Sequence, residues 1–220
     1  MNDLTALFIY GLICYLLGSI SFGTIISRLA KGIDITKQGS GNTGATNVLR
    51  NVGSAYGFLV LFLDITKSTV PLLIINNMQY STITFIPHLC GFLAIVGHCF
   101  PIFHKFKGGK GVATGVGPLF VLFIPSGIVA ITSFFLIVVL TRLVSLGSII
   151  GCIMSIVSLL VFSLMGVLGA NFIDLIYIVP AVTVIMLKHK ENIKLIINDP
   201  MISLELNQGL SMLLPSILLI

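Results

Sequence analysis

The chain has 220 residues, of which 56% are hydrophobic and only 9% charged, with a formal net charge of +5 and no tryptophan. A soluble domain of this size could not hide so much apolar surface, and a mean hydropathy of +1.13 makes lipid the solvent. The four cysteines, Cys14, Cys90, Cys99 and Cys152, are scattered through apolar segments without CxxC spacing, which argues against a zinc site and a disulfide framework.

The first apolar segment, residues 4–27, lacks a basic n-region and is too long for the h-region of a cleavable signal. It reads as a span. The first positive charges, Arg28 and Lys31, follow it, so the N-terminus is expected outside and residue 31 onward in the cytoplasm. The polar loop 31–53 comes next and contains GSGNTGATN (Gly39–Asn47), with Arg50 shortly after. Glycines there let backbone N–H groups converge into an anion-sized hollow. Ser40, Asn42, Thr43, Thr46 and Asn47 add side-chain donors, and Arg50 supplies a fork suited to phosphate. The Gly39–Gly44 spacing is not a Walker A loop, because Ala-Thr follows where Lys-Ser/Thr is required. A flexible linker explains the glycines but not the adjoining arginine.

The second apolar segment, 54–76, carries Asp64 and Lys67 at i, i+3. Charges at membrane depth must be paired or face a polar cavity, so these two either neutralise each other or Lys67 lines a site. The third segment, 83–103, has His88 near its outer end and His98 where the apolar run stops. His98 is either a structural hydrogen-bonder or part of a site. Loop 104–111 then brings Lys105, Lys107 and a second nest, Gly108-Gly109-Lys110-Gly111, directly before a helix whose free N–H groups favour anions.

Segment 112–140 is too long for one untilted crossing, and Pro125-Ser126-Gly127 interrupts it, so two short helices folded back on each other are expected. Charge supports the hairpin. With it, Arg28, Lys31, Lys37, Arg50, Lys105, Lys107, Lys110, Arg142, Lys188, Lys190 and Lys194 all lie on the cytoplasmic side. Segments 144–168 and 171–187 complete the bundle. Gly147 and Gly151 read as helix packing, and Asp174 falls near the outer face with His88. The expected fold is all-α: a polytopic integral membrane protein of seven transmembrane helices, two of them short, N-terminus out and C-terminus in. Residues 1–198 form a single membrane domain, and 199–220 a tail whose terminal apolar stretch suits the interface better than a crossing.

Loop 188–199 carries His189, Glu191 and Asn192 among Lys188, Lys190 and Lys194; on a continuing helix His189 and Asn192 share a face. It emerges on the same side as loops 31–53 and 104–111 and the Arg142–Ser145 junction. No His and carboxylate cluster stands at metal spacing and no Ser-His-Asp arrangement stands out, so no metal or cofactor is expected. Two phosphate cradles at lipid level on one face suit an enzyme. A carrier of organic phosphate or another anion needs polar groups reachable from both sides, and a non-catalytic lipid-binding scaffold is a further alternative.

The loops resemble those of the bacterial membrane glycerol-3-phosphate acyltransferases that take acyl phosphate as donor. The resemblance rests on SGNTGATNVLRNVG (40–53), LDITK (63–67), GHCFPIFHKFKGGKGVAT (98–114), TRLVSLGSI (141–149) and HKENIKLI (189–196). It implies a seven-helix enzyme of the bacterial inner membrane, with its motifs at the cytoplasmic side, which moves a fatty acyl group from acyl phosphate to the 1-hydroxyl of sn-glycerol 3-phosphate. Lysophosphatidic acid and phosphate are the products, in the first acylation of phospholipid synthesis. Membrane lipid and the enzyme that makes acyl phosphate are the implied partners, and nucleic acid is not one. Carried over by motif, Ser40, Arg50, His189 and Asn192 are the catalytic positions. Gly41, Asn42, Thr46, Asn47, Lys107, Gly108, Gly109, Lys110 and Gly111 contribute to holding phosphate, and Lys67, His98, Ser145 and Glu191 belong to the surrounding site. The H-x4-D pair of acyl-CoA-dependent glycerolipid acyltransferases is missing. Two departures stand out: Ser68 follows Lys67 where glycine is common, and Leu195-Ile196 follows Lys194 where another basic residue is usual.

Overall fold

A computed structural model describes residues 2–78 and 84–198. The expectation for the 199–220 tail lies outside the described residues. Among those described, the structure is helical: α1 (Asp3–Gly18), α2 (Phe22–Lys31), α3 (Ala45–Asn51), α4 (Ser54–Asn77), α5 (Ile86–Cys99), α6 (Val112–Leu122), α7 (Ile124–Thr141), α8 (Val144–Met165), α9 (Leu175–Lys188) and α10 (Lys190–Asn198). Among the described residues, five stretches are long and apolar enough to cross a membrane, or six if the bent pair ending in α10 counts as one.

The first span is broken. Asn2 caps α1, its side chain accepting from the Thr5 N–H at 2.8 Å. Beyond Gly18 the Ser19 hydroxyl folds back on the Tyr15 carbonyl at 2.8 Å. The chain restarts at Phe22, and α2 ends on Gly32 in the left-handed conformation (φ 65°).

The interruption expected in 112–140 is present, but it lies at Phe123 rather than at Pro125-Ser126-Gly127. Pro125 sits in the first turn of α7, where its missing N–H would have no helical partner anyway. The two halves are also unequal. With 11 residues α6 spans roughly 16 Å, about half the hydrocarbon thickness, while α7 with 18 residues reaches roughly 27 Å. The expectation of two short helices here holds for α6 and not for α7.

Helices α1 and α5, α4 and α6, and α7 and α8 lie side by side. The α7–α8 contact is close because Gly147 and Gly151 lack side chains. A Cβ there would stand 2.9 Å from the Phe134 carbonyl and 2.9 Å from the Ala130 carbonyl. Three apolar clusters hold the bundle. One joins Ile95, Leu119, Leu159, Ile178 and Ile185 of α5, α6, α8 and α9. A second joins α1, α4 and α5 through Cys14, Leu72 and Cys90. The third, Ile26, Ile35, Val48, Val52 and Val60, seats the polar loop between α2 and α4. Phe62, Phe135, Val139 and Leu164 are exposed, as lipid-facing side chains must be. At the end of α5 away from His98, His88 Nε2 meets Asp174 Oδ1 at 2.8 Å, a buried pair that ties α5 to the turn before α9.

Candidate active site

The loop between α2 and α3 is organised by Asn47. Its amide donates to the carbonyls of Ile35 (3.3 Å), Gln38 (3.0 Å) and Asn42 (2.8 Å). Its Oδ1 accepts from the Ser40 N–H at 3.3 Å and from Asn51 Nδ2 at 2.9 Å. Asn47 therefore holds the loop in shape, with both ends of its amide engaged inside the protein. Asn42 closes the next turn through the Gly44 N–H at 2.9 Å. Gly39 (φ 54°) and Gly41 (φ 68°) allow the reversal between them. The Ser40 and Thr46 hydroxyls and the Arg50 guanidinium are exposed, and among the described residues they have no side-chain partner. Asn51 contributes to this scaffold without having stood out in the sequence.

Beneath the loops lies a buried polar hub. Lys67 Nζ is 2.7 Å from Asp64 Oδ1, donates to the Ile20 carbonyl at 2.8 Å, and is 2.9 Å from His98 Nδ1. These three contacts match the three N–H bonds of an ammonium group. The Asp64 contact is ionic and poorly directed, since Oδ1 has no aligned hydrogen bond. With Lys67 donating to Nδ1, the His98 ring carries its proton on Nε2. Of the two roles open to Lys67, the structure gives it pairing, with the ammonium held by Asp64, the Ile20 carbonyl and His98. The Ile20 carbonyl is available because the helix breaks between Gly18 and Phe22, and nothing in the sequence announced that contact.

His98 carries the hub's order into the second nest. Its carbonyl accepts the Gly109 N–H at 3.1 Å, and its ring turns its Nε2 edge onto Gly109, leaving no room for a Cβ. Gly111 (φ 86°) then starts α6 with no side-chain cap, so the first-turn N–H groups of α6 stay available. Lys110 projects from between these glycines and hydrogen-bonds Asn192 Oδ1, which closes the second loop onto α10. Burial lowers the Lys110 pKa below the ordinary lysine value, and the Arg50 guanidinium lowers it further. The two charges are near enough to act on one another, and among the described residues neither is in a salt bridge with a carboxylate.

The third loop is bent. Helices α9 and α10 meet at 60° with His189 as the hinge, so the expected continuous helix carrying both His189 and Asn192 is interrupted. His189 closes α9, its N–H reaching the Ile185 carbonyl at 3.0 Å, and Asn192 belongs to the first turn of α10. The buried His189 ring places Nδ1 2.8 Å from the Ile185 carbonyl, which makes Nδ1 the protonated nitrogen and leaves the Nε2 lone pair free. Burial lowers the His189 pKa; the Ile185 bond opposes this and the Lys110 charge adds to it. The geometry thus gathers Arg50, Lys110, His189 and Asn192. Lys107 and Glu191 are exposed and Ser145 is half-buried in the first turn of α8; among the described residues none of these three side chains bonds another candidate.

Three loops on one end of an apolar bundle, with two converging cations and a neutral imidazole, can bind phosphate and hold a hydroxyl beside it. The sequence profile of a family described as glycerol-3-phosphate acyltransferase matches residues 8–199. A glycerol-3-phosphate acyltransferase 2 of Thermotoga maritima is 39% identical over 191 residues, covering 86% of this chain and 92% of the relative. One from Bacillus subtilis is 40% identical over 191 residues, covering 85% and 92%. Crystal structures of PlsY (YgiH), an integral membrane glycerol 3-phosphate acyltransferase, superpose with TM-scores of 0.78 for the glycerol 3-phosphate form and 0.77 for the lysophosphatidic acid form. Both are 35% identical and cover 87% of this chain and 92% of theirs.

Proposed function

The chain belongs to the glycerol-3-phosphate acyltransferase family, and from that membership we propose that it uses acyl phosphate to acylate the 1-hydroxyl of sn-glycerol 3-phosphate. The observation that carries this reading is the Lys110 hydrogen bond to Asn192, which closes the glycine nest onto α10, with the exposed Arg50 near enough for its charge to act on Lys110. Two like charges that act on one another, neither in a salt bridge among the described residues, suit a site that must accept two phosphates.

The hydroxyl oxygen attacks the acyl carbonyl carbon, the bond from that carbon to the phosphate oxygen breaks, and lysophosphatidic acid and inorganic phosphate leave. Acyl phosphate is a mixed anhydride with a good leaving group, so positioning and charge stabilisation supply most of the rate, with orientation alone able to contribute about 7–11 kcal/mol. Arg50, Ser40 and Thr46 grip one phosphate. The Gly108–Gly111 nest, Lys110 and the N-terminus of α6 hold the other. Asn192 sets the Lys110 ammonium, and Ser145, Lys107 and Glu191 complete the rim. Asn47, Lys67 and His98 act through the loops that they position. The proton of the hydroxyl has two acceptors, His189 Nε2 and a substrate phosphate oxygen. A pH–rate profile of His189→Asn separates them, because only the first route loses its acid limb.

The family membership also supports residues 1–198 as one membrane domain. With the short α6 counted beside the five or six long apolar spans, the reading is of seven crossings, N-terminus outside and loops at the cytoplasmic face of the bacterial inner membrane. The experiment is release of phosphate from palmitoyl phosphate and glycerol 3-phosphate by protein in lipid mesophase. Turnover that falls steeply in Arg50→Ala is expected; absence of turnover in the parent protein, or an Arg50→Ala variant equal to it, refutes the proposal.

A further inference from the structure

We infer that the turn over residues 102–107 is a membrane anchor that seats in the anionic headgroup layer beside the site. Ile102, Phe103 and Phe106 are 49%, 63% and 57% exposed, and the exposed Lys105 and Lys107 alternate with them. The turn lies between the end of α5 at Cys99 and the start of α6 at Val112, which places it where two apolar helices leave the hydrocarbon. Apolar rings interleaved with lysines suit that depth, where rings meet acyl chains and ammonium groups meet lipid phosphates.

The backbone is committed to this display. Lys105 (φ 51°) and Phe106 (φ 60°) are both left-handed, a conformation that side-chain-bearing residues avoid. Hydrogen bonds hold it in place: Phe106 N–H to the Pro101 carbonyl at 3.0 Å and Lys107 N–H to the His104 carbonyl at 3.0 Å. Among the described residues, neither phenylalanine joins an aromatic pair or lies under a cation, and neither lysine pairs with a carboxylate. The exposed residues around Ser40 in the first loop are by contrast Lys, Gln, Ser and Gly, which suit water. Charge complementarity assigns the occupant of the 102–107 turn as anionic lipid. Because the turn runs directly into Gly108, anchoring it fixes the depth of the second nest. On the acyltransferase reading, that is the depth of the phosphate of a membrane-held acyl donor.

The chain has no tryptophan, so a single introduced indole reports one place. Phe103→Trp, Phe106→Trp and, as a water-facing control, Gln38→Trp are placed in the full chain and reconstituted into vesicles of phosphatidylcholine with or without phosphatidylglycerol. Blue-shifted emission is expected from the first two, quenched more by lipids brominated near the headgroup than by lipids brominated at the chain ends. The shift should grow with phosphatidylglycerol, and the Lys105→Gln/Lys107→Gln pair of changes should abolish that growth. Gln38→Trp should emit as in water. Water-like emission at positions 103 and 106 overturns the inference; so does blue-shifted emission that brominated lipid leaves unquenched, which means protein covers the turn. Indifference to phosphatidylglycerol overturns the choice of anionic headgroups. The readout does not depend on turnover.

Discussion

Replacing Lys67 with methionine tests the buried hub. The change keeps chain length and apolar volume but leaves Asp64 charged, buried and without its cation, 3.6 Å from His98 Nδ1. The Ile20 carbonyl and His98 Nδ1 lose a donor as well. Breaking a buried pair by removing one partner costs about 3–5 kcal/mol, because the remaining charge keeps its full desolvation penalty. At roughly 2–4 °C per kcal/mol for a chain of this size, the expected fall in Tm is roughly 6–20 °C. Unfolding is read with a thiol-reactive dye, since Cys14, Cys90 and Cys99 are free and buried and Cys152 is partly so. The double change Lys67→Met/Asp64→Leu removes both charges and should recover most of the loss, leaving about 1–3 kcal/mol for the unpaired carbonyl and imidazole. A Lys67→Met melt within about 2 °C of the parent would refute the hub, since that corresponds to less than about 1 kcal/mol. So would a double variant no better than the single one.

Gly109→Ala drives a methyl group into the His98 ring, so a stability loss of about 1–3 kcal/mol and a displaced nest are expected, read as a lower Tm together with a raised KM for a phosphate substrate. Asn192→Leu keeps the side-chain size but leaves the Lys110 ammonium without its acceptor; a hydrogen bond to a charged group is worth about 1.5–3 kcal/mol, so kcat/KM should fall roughly 10- to 150-fold. The lowered His189 pKa means that the unfolded chain binds more protons than the folded one just below about pH 6.5. Stability should therefore decline as pH falls through that window and level off below the folded pKa; His189→Asn should flatten this part of the Tm–pH curve, and an unchanged slope would contradict the assignment.

Membrane residence, helical class and the three polar loops were legible in the amino-acid order, because lipid imposes long apolar runs and every charge outside them is conspicuous. The interruption of 112–140 was legible too, although the proline marked the start of the second helix rather than the break itself. Arg50 and the Gly108–Gly111 nest could be picked out because glycine and arginine have local reasons to occur together beside a phosphate. Three-dimensional packing alone decided which polar groups remain available. Lys67 and Asn47 look like ligand donors by residue type, yet both are engaged inside the protein, by Ile20, His98 and Asp64 in the one case and by the carbonyls of the first loop in the other. The hinge at His189, which sets its imidazole against Ile185 and brings Asn192 to Lys110, joins residues 82 positions apart in the case of the latter pair. The physical reason is one of range: solvent preference and backbone freedom belong to each residue and its near neighbours, whereas a hydrogen-bonding group buried among helices takes whichever partner the packing delivers.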